Sequence, residues 1–323
     1  MVTQISKAIA LFIFLLYALA LKAQYRTELV VARDGSGDFT SIQAAIDDTK
    51  SFPERTITIH IRNGVYREKV RIPPWNPHLR LIGESMEGTV VSWDDHFQQI
   101  HRGRNSTFFT ATLAVEAVDV YLENLTIQNT SGKVGQAIAL AAFADRCQVV
   151  NCRILGNQDA LFADGPYSRQ LYRNCLISGT TDFIFGQATA VFEECTIHSF
   201  ANSFITAAST AKGKSFGLVF LRCQLTAAPG VDAVYLGRPW RPYAKTTFID
   251  CTMGSHIVPA GWDNWTDPEN EGTAFYAEYG NTGPGARIIK RVPWSHQLTK
   301  RQAGKYHLTR IFKSTTLPPV DWN

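Results

Sequence analysis

The sequence predicts an all-β protein, a parallel β-helix with a short capping helix at its amino-terminal end. Three observations predict it. A short pattern recurs every 20 to 28 residues, a cysteine recurs at one phase of that pattern, and a helix-start signal precedes the first copy. The composition allows a large core: of 323 residues 45% are hydrophobic and 19% charged, with 23 Gly and 14 Pro. A formal net charge of +4, with no long run of one sign, argues against a polyelectrolyte partner such as nucleic acid. Six cysteines without a Cys-x-x-Cys pair exclude a zinc ribbon and a thioredoxin-type site.

In chain order, Lys7 precedes an apolar run from Ala8 to Leu21, with small residues at Ala18, Ala20 and Ala23. This reads as a secretory signal over residues 1–23, because the 14-residue apolar run falls short of the roughly 20 residues that span a bilayer. Its removal leaves 30 basic against 28 acidic residues and a single domain over 24–323, expected to be exported and free of the membrane. Thr40-Ser-Ile-Gln-Ala-Ala-Ile-Asp-Asp48 opens with capping residues and sets Ile42, Ala45 and Ile46 on one face. A short helix there covers the open end of the first coil, as a terminal repeat must.

The repeat runs through Tyr121-Leu-Glu-Asn-Leu125-Thr-Ile127, Val149-Val-Asn-Cys152-Arg-Ile154 and Leu171-Tyr-Arg-Asn-Cys175-Leu-Ile177. It continues as Val191-Phe-Glu-Glu-Cys195-Thr-Ile197, Phe220-Leu-Arg-Cys223-Gln-Leu225 and Phe248-Ile-Asp-Cys251-Thr-Met253. Positions 125, 152, 175, 195, 223 and 251 step by 27, 23, 20, 28 and 28 residues. In a β-helix each strand bonds to the same strand one coil later, so these residues form one inward column. An antiparallel sandwich gives no reason for one residue type to recur at one phase. Stacked cysteines point the same way rather than at each other, so free buried thiols are expected, with a bridge from Cys147 left open. Beyond about residue 255 the period fades into loops rich in Gly, Pro and Trp.

Two copies carry chemistry. Asn151-Cys-Arg-Ile-Leu-Gly-Asn-Gln-Asp159 aligns with Asn174-Cys-Leu-Ile-Ser-Gly-Thr-Thr-Asp182, and each aspartate lies seven residues after its cysteine. On consecutive coils the two stack about 4.8 Å apart along the backbone. Carboxylates that close do not both ionise easily, which yields one base or nucleophile and one acid. Each Asp could merely close a turn, but Phe183-Ile-Phe185 after Asp182 is too apolar for a solvated turn. Arg238 in Leu236-Gly-Arg-Pro-Trp240 offers a guanidinium partner, and Gln136 and Gln158 offer uncharged donors for an oxyanion.

These residues carry a resemblance to the pectin methylesterases (pectinesterases), which extends over nearly all of the chain after residue 23. It includes Asp34-Gly-Ser-Gly-Asp-Phe-Thr40, Gly64-Val-Tyr66-Arg-Glu68, Gly135-Gln-Ala-Ile-Ala-Leu140 and Gly156-Asn-Gln-Asp-Ala-Leu161. It continues through Asp182-Phe-Ile-Phe-Gly186, Leu236-Gly-Arg-Pro-Trp240 and Tyr276-Ala-Glu-Tyr-Gly-Asn-Thr-Gly-Pro-Gly285. The resemblance implies a right-handed β-helix that removes methyl esters from the galacturonate units of pectin, with no cofactor and no metal. It implies Asp182 as nucleophile, Asp159 as general acid and then base, Gln136 and Gln158 as oxyanion donors, and Arg238 as the group that holds Asp182. Trp240 would stack on a sugar ring, with Phe185 and Trp262 as further groove aromatics. Two positions depart from the family pattern. Phe162 stands where a tyrosine is common, and Ala141-Ala142 where plant members carry arginine, so substrate contacts and subsite preference differ there. The substrate partner is methylated homogalacturonan, and a monomer is expected. Rival readings are a β-helical pectin depolymerase, hydrolase or lyase, and a non-catalytic carbohydrate-binding β-helix.

Overall fold

A computed structural model describes residues 25–313; the expected signal over residues 1–23 lies outside the described residues. Among these, strands pair in parallel into three sheets of 11, 7 and 8 strands that run along the molecule as the faces of a right-handed β-helix. A coil visits the sheets in turn. Leu161–Ala163 of the seven-stranded sheet is followed by Arg169–Arg173 of the eleven-stranded sheet and Leu176–Gly179 of the eight-stranded one.

The expected column is present. Arg153 pairs with Thr126 and Leu176, Leu176 with Thr196, Thr196 with Gln224 and Gln224 with Thr252, which aligns the preceding residues 125, 152, 175, 195, 223 and 251. All six are buried. Each column residue follows one in the left-handed region: Asn124, Asn151, Asn174, Glu194, Arg222 and Asp250 have φ between 50° and 55°. A single such residue turns the chain from one sheet to the next, and Asn and Asp bear that conformation better than most side chains. All six cysteines are free, Cys147 included. In the eleven-stranded sheet, Tyr172, Phe192, Phe220 and Phe248 stack inward with centroids 4.8, 4.5 and 4.3 Å apart, each contact contributing about 0.5–1.5 kcal/mol beyond its burial.

The amino-terminal helix spans Ile42–Asp48 and buries Ile42, Ala45 and Ile46. Its start is satisfied twice over. The Ser41 hydroxyl accepts from Ala44 N, and the Glu68 carboxylate accepts from Ile42 N, Gln43 N and the Ser41 hydroxyl. Glu68 of the Gly64–Glu68 motif therefore anchors the cap. Glu278 of the last motif is likewise structural: it lies buried, ion-paired with Arg291 at 2.8 Å, and accepts from Trp262 Nε1.

Candidate active site

The site lies on the outward face of the seven-stranded sheet, and pairing register decides what shares it. Ala114, Ala141, Phe162, Phe185, Ala207 and Arg238 are successive partners across six strands, so their side chains line one outer column. Phe162 and Phe185 stack at 4.5 Å, Phe108 and Phe143 close on Phe162, and Trp240 meets Phe185 edge-on at 5.8 Å. An aromatic floor results, with Arg238 at its end. The close pairing that sets Arg238 leaves no space at Gly237, where a Cβ would come within 1.9 Å of the Thr206 hydroxyl.

Asp159 and Asp182 stand two residues before the paired Leu161 and Ile184, one coil apart. Both are left-handed, with φ of 64° and 48°, which turns them out of the strand line. Their backbones stay tied to the next coil: Asp159 N donates to Thr181 O at 3.1 Å and Asp182 N to Phe204 O at 2.8 Å. Phe183 points inward and is fully buried. The apolar surroundings expected of Asp182 are thus real, and the residue is only 5% exposed.

Arg238 meets Asp182 with a planar fork, Nε to Oδ1 at 3.0 Å and Nη2 to Oδ2 at 2.7 Å. The guanidinium lies between two rings, 3.9 Å from the centroid of Phe204 and 3.8 Å from that of Trp265. Such stacking adds attraction where water is excluded. Burial raises the Asp182 carboxyl, the Arg238 hydrogen bonds and charge act against it, and Asp263 raises it slightly. Asp159 is raised well above the usual carboxylate range, first by burial and second by the Asp182 charge. Both carboxyls are thus raised, Asp159 the further of the two, and only Asp182 has an arginine fork acting against the shift.

Gln136 and Gln158 sit side by side on adjacent coils in a parallel bridge. Ala139 N and Leu140 N both donate to Ala160 O, so the pairing shifts from Gln136–Gln158 to Leu140–Leu161 by one residue. This bulge beside the aspartates sets the two amides abreast. Neither side-chain amide has a hydrogen-bond partner among the described residues, which leaves their NH₂ donors available to a ligand.

Trp262 is a correction. It is 1% exposed and packs between Phe248 and Tyr276 in the core, away from the groove. Trp265, three residues on, takes the outward place, held by Asp263 Oδ1 accepting from its N at 2.7 Å. Phe204, Trp265 and Asp263 were not anticipated. Phe204 was findable, since it occupies the phase of Asp159 and Asp182 one coil later. Trp265 was not, because its loop carries no repeat and so no phase. Asp94 and Asp95 pair with Arg67 at 2.8 Å and Lys69 at 2.6 Å.

Comparison with known proteins bears on the same features. The family model described as Pectinesterase matches residues 28–315. Pectinesterase 31 of Arabidopsis thaliana is 38% identical over 284 residues, covering 85% of this chain and 89% of its own. Among solved structures, the pectin methylesterase from carrot superposes with a TM-score of 0.81 at 32% identity, covering 85% of this chain and 89% of that one. A mutant pectin methylesterase solved in complex with a hexasaccharide superposes at 0.78 with 26% identity, covering 92% of this chain and 100% of that one.

Proposed function

The chain belongs to the pectinesterase family and is an ester hydrolase that demethylates pectin, and on that premise we propose that Asp182 is its nucleophile and Asp159 its proton donor and acceptor. The observation that carries this reading is the asymmetry of the pair: Arg238 forks onto Asp182 alone, and Asp159 is left as the protonated partner. Asp182 Oδ attacks the carbonyl carbon of a galacturonate methyl ester. The carbonyl oxygen becomes an oxyanion within reach of the Gln136 and Gln158 amides, whose donors need no reorganisation as charge develops. When the tetrahedral species collapses, the C–O bond to the methoxy group breaks and methanol leaves with the Asp159 proton. The remaining acyl-aspartate anhydride is cleaved by water that Asp159, now ionised, deprotonates. This yields the free galacturonate and restores both carboxyls.

The substrate is methylated homogalacturonan, its sugar rings lying along the floor built by Phe162, Phe185 and Trp240. Phe162 brings no hydroxyl to that floor, so it contributes apolar contact alone. The protein acts as a monomer, exported after removal of residues 1–23. Methylated pectin incubated with the enzyme is expected to release methanol and acidify while its viscosity holds. Chain shortening ahead of methanol release would instead establish a depolymerase.

A further inference from the structure

We propose that a cationic cleft separate from the catalytic pair binds de-esterified galacturonate chain, the polyanionic product, as a second polyuronate site. The cleft, about 640 Å³, opens where the strands Lys245–Ile249 and Phe275–Tyr279 begin, under the carboxy-terminal segment with its short helices Lys300–Ala303 and Leu308–Ile311. Five cations line it: Lys214, Lys245, Lys305, Arg310 and Lys313. No Asp or Glu lines it, and none of the five takes part in an ion pair among the described residues. Some surface cations elsewhere are ion-paired, as Arg71 is with Glu116 and Arg222 with Glu193. Like charges gathered around one cavity repel unless an anion enters, and burial pushes Lys214 down to about 8 against the opposing pull of Asp164 on the groove side.

The ligand's class follows from three features. Several separated cations suit a chain with carboxylates at regular intervals better than a single small anion. Tyr306 lines the same cleft beside Phe216 and brings apolar surface for a sugar ring. Lys214 Nζ donates to Gln187 O at 2.7 Å, and Gln187 with Phe162, Asp164 and Trp240 lines a pocket of about 450 Å³ on the groove floor. Groove and cleft thus share a wall, and a chain demethylated in one can reach the other. Each methyl ester removed exposes one negative charge, so the cleft holds product and ignores uncut substrate. Retained product keeps the next ester of the same chain near the catalytic pair, which favours runs of adjacent demethylation. The choice of ligand rests on the esterase reading above.

The test uses the full chain carrying Lys305→Gln with Arg310→Gln, both at exposed positions, and Lys305→Ala alone as a second variant. Calorimetry with a de-esterified oligogalacturonate should show the double variant binding about tenfold more weakly and with a shallower salt dependence. Lys305→Ala should show a smaller loss in the same direction. Methanol release from a short methylated oligomer should stay at the wild-type rate, while free carboxylates on long pectin become more scattered. Unchanged affinity for the de-esterified oligomer, or an equal loss of affinity for a fully methylated one, would overturn the second site. Failure of the esterase reading shows separately, as absence of methanol from the wild-type protein.

Discussion

Arg238 donates two parallel hydrogen bonds to Asp182, at 3.0 and 2.7 Å, from a guanidinium clamped between Phe204 and Trp265. The fork fixes the orientation of both carboxylate oxygens as well as their charge. A point charge on a flexible stem cannot do this. Arg238→Lys should therefore fold normally and lose activity by on the order of 100-fold, mainly in kcat. Methanol release kinetics with circular dichroism as the folding control check this, and wild-type rates would make Arg238 purely structural.

The two tryptophans of the 261–265 loop should separate by phenotype. Trp265→Ala removes one face of the clamp and should lower kcat by about tenfold through a misplaced Arg238, with little change in melting temperature. Trp262→Ala opens a cavity in the core and should cost about 3–5 kcal/mol of stability. Thermal unfolding and turnover measured on both variants would expose a reversed pattern at once.

Asp159 ties activity and stability to pH in the same sense. Its carboxyl is raised well above the ordinary value of 3.8 by burial and by Asp182. An acid so shifted favours the fold while protonated. That stability is fully present below the ordinary value and is lost as pH rises through the raised one. Asp159→Asn, neutral at every pH, should melt like the wild type in acid and above it in alkali, while releasing no methanol. In the wild type, kcat/KM should fall on the alkaline side as Asp159 ionises and on the acidic side as Asp182 protonates. A wild-type advantage in alkaline melting would contradict the assignment.

The thiols should be silent until the fold opens. All six are free and buried, and burial pushes Cys147 up to about 12. An alkylating reagent at pH 8 should label none in the native protein and six after unfolding without reductant, read by mass. Fewer than six would reveal a disulfide.

Asp182→Asn keeps the shape of the side chain and removes its nucleophilic oxygen. It should abolish methanol release while the protein still folds. Substantial turnover in this variant would move the nucleophile elsewhere.

How far the site was legible depended on phase. The spacing of seven residues from Cys152 to Asp159 and from Cys175 to Asp182 was enough to bring the aspartates together, because strand pairing carries like positions of successive coils onto one line. The same rule reaches Phe204. It fails for Trp265, which lies three residues past Trp262, the residue that bridges to Gly237 and takes its inward phase.

The sequence by itself determined the coil, its inward column of Leu125 and five cysteines, and the pairing of two aspartates. In a structure that repeats, position along the chain converts directly into position in space. Only the tertiary structure decided which aromatics clamp Arg238, that Trp262 belongs to the core, and that five unpaired cations converge beneath the carboxy-terminal helices. Those features join segments with no common period, brought together by packing across the turns and by the chain folding back over the eleven-stranded sheet.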